Sequence, residues 1–269
     1  MYVLGHSDHE LRRLSHQAGV IDPITRGFFV SAGIERGMRV LDVGSGAGDV
    51  SFLLADLVGP DGEVIGADLS VGAVETARAR AEGLGLTNVA FVHGDPTELV
   101  FEELFDAVAG RYVLQFINEP AAALCKLVAL ARPGGVIVFH ELDWDRLRPE
   151  PASPTYEMIS RWVMPAIEAA RSSVHMGGQL GRVFTDAGLA NPMLRLEAPI
   201  AVGDQTDDLI RVLCDLTTTL LPTIERLGIA TAAEIDVASL AERIAAEVNA
   251  NGCVIVSNTQ VGAWSRRPE

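Results

Sequence analysis

The chain has 269 residues, with 21 Lys+Arg against 36 Asp+Glu, a formal net charge of −15 and a pI of about 4.8. Holding a duplex by bulk electrostatics needs a basic face; no Lys/Arg cluster supplies one, so nucleic acid is excluded as a partner. Hydrophobic residues at 48% with 21% charged exclude a disordered chain and predict one main domain.

In chain order, residues 1–36 are a leader in which Leu11, Leu14, Ala18 and Ile21 recur at helical spacing. The first ten residues lack a basic region followed by an apolar run, and no later stretch reaches the roughly 18 apolar residues of a membrane span. A soluble, cytoplasmic protein is expected. The three cysteines, Cys125, Cys214 and Cys253, are odd in number and widely spaced; they read as buried free thiols.

From residue 37 strand-like and helix-like segments alternate, the pattern of a parallel sheet covered on both faces. The predicted strands are Met38 to Val43, Glu63 to Asp68, Val89 to Val92, Phe105 to Ala109 and Val136 to His140. Between them Val50 to Val58 is helical, Ser70 caps a helix to about Glu82, and Pro120 starts another. Three prolines within residues 148–154 make a connector, since proline cannot continue a helix or a central strand. Met158 to Ala170 is an amphipathic helix with Pro165 as a kink. Leu180 to Ala187 and Met193 to Ala201 read as a helix and a strand. Asp207 to Leu227 is helical and contains Thr217, Thr218 and Thr219. Cys253 to Ser257 and Val261 to Trp264 close the chain as a final strand or hairpin arm.

The most informative segment is Val40-Leu41-Asp42-Val43-Gly44-Ser45-Gly46-Ala47-Gly48-Asp49, a strand running into a glycine loop that opens a helix. The glycines permit a tight turn and close backbone approach, and free amides at a helix start favour an anionic group. The dinucleotide fingerprint wants Gly or Ala three residues after its second glycine, where this chain has Asp49. Asp42 at the strand end would repel a diphosphate and suits a ligand bearing an ammonium and a sulfonium. S-adenosylmethionine is such a ligand. Asp68 ends the second strand, at the place where a βαβ unit puts an acid to accept ribose hydroxyls, with Leu69 beside it. Gly94-Asp95-Pro96 after the third strand offers a short acid to an adenine amino group.

On these residues, with Phe105-Asp106, Tyr112 to Phe116 and Leu130-Ala131-Arg132-Pro133-Gly134-Gly135 before the fifth strand, the chain resembles the class I S-adenosylmethionine-dependent methyltransferases of the small-molecule branch. The resemblance implies an α/β, Rossmann-like doubly wound sheet of seven strands, the last antiparallel, with an added helical lid. Residues 1–36 would cover the cofactor, 37–144 would form the cofactor-binding core, and 145–269 would supply lid and substrate segments with the last two strands. The cofactor-binding residues would be Gln17, Asp42, Gly44, Ser45, Gly46, Gly48, Asp68, Leu69, Gly94, Asp95, Pro96, Arg111, Tyr112 and Gln115, Arg111 through its main chain. Gly110 to Leu114 replaces the segment that receives an amino group in adenine- and glutamine-directed branches, which argues against those substrates.

Methyl transfer from a sulfonium is an in-line displacement, so positioning dominates and a base is needed only for a poorly acidic hydroxyl or a protonated amine. His140 is the leading base candidate and His175 the second. Glu141 and Asp143 could orient His140 or bind an amine. Tyr2, His140, Asp143, Trp144, His175 and Met176 are the expected substrate contacts, and no metal site is expected. The reaction expected is methylation of a small, apolar organic molecule; the alternatives are a cyclase-type enzyme that keeps the cofactor without transfer, and an NAD(P)-dependent oxidoreductase. No membrane partner is expected, and a homodimer is admitted.

Overall fold

The computed structural model describes residues 8–144, 148–169 and 173–269, which divide into two compact units. The larger comprises residues 22–141, 176–196 and 260–269, and the smaller is built from residues up to 21, 142–175 and 197–259. In chain order the first elements are α1 (Asp8–Ala32), β1 (Arg39–Val43), α2 (Asp49–Val58), β2 (Glu63–Asp68), α3 (Val71–Gly83), β3 (Val89–His93), β4 (Phe105–Arg111), α4 (Pro120–Val128) and β5 (Ala131–Asp143). They continue with β6 (Arg148–Glu150), α5 (Pro154–Ala169), α6 (Met176–Asp186), β7 (Met193–Glu197) and β8 (Ile200–Val202). The chain closes with α7 (Asp207–Arg226), α8 (Ala232–Ile235), α9 (Val237–Asn251), β9 (Val254–Val256) and β10 (Thr259–Arg266).

The larger unit holds a seven-stranded sheet of order β3-β2-β1-β4-β5-β10-β7, and the contacts β1 with β2, β1 with β4, β2 with β3 and β4 with β5 are parallel. Alternation along the strands divides its core in two. Val40, Ala107, Ala109, Val136 and Val138 face Phe29 of α1 and Leu53 and Leu54 of α2. Leu41, Val108, Ile137 and Phe139 face Leu124 and Leu127 of α4 and Leu180 and Phe184 of α6. Both faces are covered, so the central strands read as nearly continuous apolar runs. Ser70 caps α3 as expected, accepting the Ala73 amide.

The smaller unit contains helices and a three-stranded antiparallel sheet of order β6-β9-β8. Three expectations about strands change. The proline-rich connector contributes β6, an edge strand, where a proline costs no ladder hydrogen bond toward the open side. Met193 to Ala201 is two strands in two sheets, and β9 and β10 likewise part into different sheets rather than forming a hairpin. Cys214 and Cys253 are buried, but Cys125 is exposed on α4, correcting the expectation of three buried thiols. Thr217 and Thr218 return their hydroxyls to the carbonyls of Leu213 and Cys214, one turn back. No helix among the described residues is long and apolar enough to cross a membrane.

Candidate functional site

The glycine loop lies at the carboxyl end of β1, in the larger unit. Gly44, Gly46 and Gly48 take φ of 68°, 52° and 95°, the left-handed region that L residues disfavour. Their surroundings differ. A Cβ at Gly44 would sit 2.7 Å from Val113 Cγ2 and one at Gly48 2.6 Å from Phe52 Cζ, whereas at Gly46 it would meet nothing within 4 Å among the described residues. Gly44 and Gly48 therefore serve packing inside the protein, and Gly46 bounds open space.

The loop's amides are committed within the protein. Gly44 N and Ser45 N donate to the Ala67 carbonyl, at 2.8 and 3.1 Å, and Gly48 N donates to the Ser45 carbonyl. Gly46 N donates to Asp68 Oδ2 at 2.9 Å, while Asp68 Oδ1 accepts the Ser70 amide at 2.8 Å. These four amides are therefore not offered to an anion, and the loop presents side-chain-free backbone surface; the amides expected to favour an anion are those that open α2, from Asp49 onward. Asp49 pairs with Arg80 at 2.8 Å, and Arg80 also donates to the Ala47 carbonyl, so the carboxylate that departs from the dinucleotide fingerprint fastens the loop to α3.

Asp68 is half-buried at the end of β2, its carbonyl accepting the Gly94 amide. Leu69 beside it is 68% exposed. Asp95 is exposed, its Oδ1 accepting both the amide and the hydroxyl of Thr97 in a turn, and Pro96 is buried. Asp42 is buried, Oδ2 accepting from Ser51 at 2.5 Å and Oδ1 without a partner among the described residues. Burial raises its pKa to about 7, against the lowering effects of Ser51 and Arg111. Ser45 Oγ is also buried without a partner.

His140 does not occupy the position of a base. It is fully buried, with Nε2 2.8 Å from Gln260 Oε1 and Nδ1 3.1 Å from Thr25 Oγ1. Gln260 Oε1 also accepts the Tyr112 hydroxyl at 2.6 Å, and Thr25 Oγ1 accepts from Arg111 Nη1 at 3.0 Å. With the ring neutral and Gln260 Oε1 accepting from Nε2, Nδ1 is left to accept from the Thr25 hydroxyl, the proton placement and amide orientation being assigned from the network. Burial pulls the His140 pKa down to about 3, with the nearby Arg111 cation adding to the effect. The Arg111 guanidinium is itself paired with Asp22 at 2.6 Å. Both ring nitrogens are spoken for, so the base role expected of His140 is withdrawn, and with it the contact to substrate.

Glu141, the next residue, is fully buried. Its Oε1 accepts the amides of Val113 at 2.9 Å and Leu114 at 2.7 Å, and Oε2 has no hydrogen-bond partner among the described residues. Burial raises its pKa to about 8 despite those bonds. Gln115 is buried and Tyr112 half-buried at φ 58°. Met176 is 1% exposed and packs in the sheet's core with Leu180 and Phe184, which corrects its expected contact with substrate. In the smaller unit His175 is exposed with Nδ1 4.0 Å from Asp143 Oδ1, and Trp144 is buried, its amide bonded to the Val174 carbonyl. Gln17 is half-buried on α1, and Tyr2 lies outside the described residues. Sequence reasoning missed Asp22, Thr25 and Gln260 altogether.

A sheet of this strand order, with a glycine loop closed onto an acid at the end of β2, defines a class I S-adenosylmethionine-dependent methyltransferase. The chain belongs to the family described as methyltransferase domain, whose model matches residues 34–188. Among curated relatives, a demethylmenaquinone methyltransferase of Staphylococcus aureus is 30% identical over 182 residues, covering 61% of this chain and 72% of that enzyme. An uncharacterised 37.1 kDa protein of a Streptomyces fradiae transposon is 36% identical over 157 residues, 58% of this chain; the match spans 44% of that protein's length. Among solved structures, phosphoethanolamine N-methyltransferase 2 of Haemonchus contortus, in complex with phosphomonomethylethanolamine and S-adenosylhomocysteine, superposes with a TM-score of 0.54 at 16% identity. That match covers 87% of this chain and 50% of that one. The 4+2 cyclase SpnF gives a TM-score of 0.54 at 20% identity over 92% and 80% of the two chains. At these identities both likenesses are of fold.

Proposed function

We propose that the chain transfers a methyl group from S-adenosylmethionine to a small, apolar organic acceptor. The observation that carries this reading is the junction of Gly46 with Asp68: an acid anchored to the loop by one amide, beside an exposed leucine and a glycine that faces open space. The residues fit the cofactor. Asp68 would take the ribose hydroxyls through its remaining lone pairs, Leu69 would cover the adenine, Asp95 would accept from its amino group, and Gly46 would leave room for close backbone approach. Bound S-adenosylmethionine supplies an electrophilic methyl group. The protein's share is to hold the acceptor in line and exclude water.

The small-molecule assignment is supported by the S. aureus relative, named for a quinone precursor, and by the acidic composition. Of the two candidate bases, His140 is neutral and enclosed, which leaves His175, its Nδ1 4.0 Å from Asp143 Oδ1, for an acceptor that must lose a proton.

Calorimetry with S-adenosylhomocysteine and assays with methyl-labelled S-adenosylmethionine over a panel of quinols, phenols and amines test the proposal. Label should pass to an apolar acceptor, and Asp68→Ala should abolish both binding and turnover. Tight NADH binding would overturn it, and product formation without label transfer would instead indicate a cyclase-type reaction.

A further inference from the structure

Glu141 is the buried carboxyl that the cofactor reading leaves without a task. It grips the segment that follows β4: Oε1 receives the amides of Val113 and Leu114, and the Gln115 amide also bonds to the carboxyl. Val113 is the side chain that lies over the glycine loop, its Cγ2 2.7 Å from where a Cβ on Gly44 would be. The residue before it, Tyr112, holds φ at 58°, a conformation a non-glycine residue keeps only when its surroundings impose it. Those surroundings are on β5 and β10. Tyr112 N donates to the His140 carbonyl at 2.8 Å and its hydroxyl to Gln260. The chain thus spends a desolvated carboxyl on fixing a few backbone atoms. A buried acceptor at that cost is retained where the atoms it fixes must not move.

We propose that Glu141 is a positioning residue for the cofactor site, acting through Val113 on Gly44. The inference rests on the cofactor reading given above. Removing the carboxyl leaves three amides of the segment without that acceptor, which frees Val113 to shift and the glycine loop to relax. A role confined to stability predicts a lower melting temperature with cofactor affinity unchanged. A positioning role predicts a loss of affinity in protein that is still folded.

The test is calorimetric titration of the full chain with S-adenosylhomocysteine, for wild type, Glu141→Gln, Glu141→Leu, Val113→Ala and the double variant Glu141→Leu/Val113→Ala. Wild type that does not bind would sink the cofactor reading itself; the comparisons below apply once it binds. Glu141→Gln keeps an oxygen for the amides of Val113 and Leu114 and should stay within about threefold of wild type, while Glu141→Leu should weaken binding by about tenfold, in keeping with one lost buried acceptor. Val113→Ala should weaken binding too, and the double variant should bind about as well as Glu141→Leu alone, because both changes break one route. Wild-type affinity in folded Glu141→Leu, or losses that multiply in the double variant, would overturn the proposal. Should Glu141→Leu not fold, Val113→Ala decides alone, wild-type affinity counting against the proposed route and weakened binding supporting it.

Discussion

His140 and Glu141 are neighbours in sequence, both fully buried, and burial moves their pKa values in opposite directions because it disfavours whichever form is charged. The histidine, pulled down to about 3, stays neutral in the folded protein while the unfolded chain takes up a proton below its ordinary 6.5. Its stabilising contribution is present above pH 6.5 and is lost as pH falls toward 3. Nitrogen-15 spectra should accordingly show His140 neutral and protonated on Nε2 at pH 5; an imidazolium signal there would show that burial does not hold the ring neutral. Glu141 runs the other way. The folded state keeps a proton up to about pH 8 that the unfolded chain releases near 4.5, so its contribution falls as pH rises through that window. Glu141→Gln removes this dependence. Relative to wild type it should gain up to about 1.4 kcal/mol of unfolding free energy per pH unit between pH 5 and 8, read from urea melts. Parallel pH profiles for the two proteins would show that Glu141 is already ionised in the fold. None of this was legible at residue scale. A histidine and a glutamate after an apolar run announce a strand end, and whether they face a ligand depends on Thr25 and Gln260, which lie 115 and 120 residues from His140 in sequence.

Elements were easier to read than partners. The first five strands of the main sheet follow from period and punctuation, because a strand covered on both faces must be apolar throughout and must break where glycine permits a turn. The ends of the chain were harder: β9 and β10 are separated by two residues and would make a hairpin on local evidence, yet each pairs in a different sheet. Pairing is a long-range property that local sequence does not encode. The glycine motif was legible as a loop but not as a division of labour among its glycines. Gly46 and Gly66 illustrate the difference. Gly46→Ala places a methyl group in open space at φ 52°, at a backbone cost of about 1–2 kcal/mol. It should keep a cooperative melt while S-adenosylhomocysteine affinity falls on the order of tenfold or more. Gly66→Ala, within β2, would drive a Cβ to 2.6 Å from Phe91 Cδ1 and 2.8 Å from Ser51 Oγ, so it should fail in folding before binding can be measured. Unchanged affinity in Gly46→Ala would show that the open space beside it is not where cofactor approaches.

Across the whole molecule the net charge of −15 acts on ligands before any contact forms. S-adenosylmethionine carries one net positive charge and its demethylated product carries none, yet the two share adenosine and amino-acid moieties. Short-range contacts with the ribose and adenine are therefore common to both, and the field of the protein distinguishes them. An acidic surface attracts the cation over a distance comparable to the Debye length, about 8 Å at physiological ionic strength and about 30 Å at 0.01 M. Set beside the bound ligand, Asp42 would add a local contribution. Its pKa near 7 in the folded chain means that a nearby cation would favour its ionised form, so binding of S-adenosylmethionine should release protons near neutrality where binding of S-adenosylhomocysteine releases fewer. Two measurements follow. The association rate of S-adenosylmethionine should fall as salt is raised from 0.01 M to 0.15 M, while that of S-adenosylhomocysteine stays nearly flat. Calorimetry in buffers of differing ionisation enthalpy should report the larger proton release for the methylated ligand. Equal salt slopes would mean that the acids spread over the surface steer nothing, and equal proton release would mean that Asp42 does not sense the sulfonium, leaving discrimination between substrate and product to contacts on the methyl group itself.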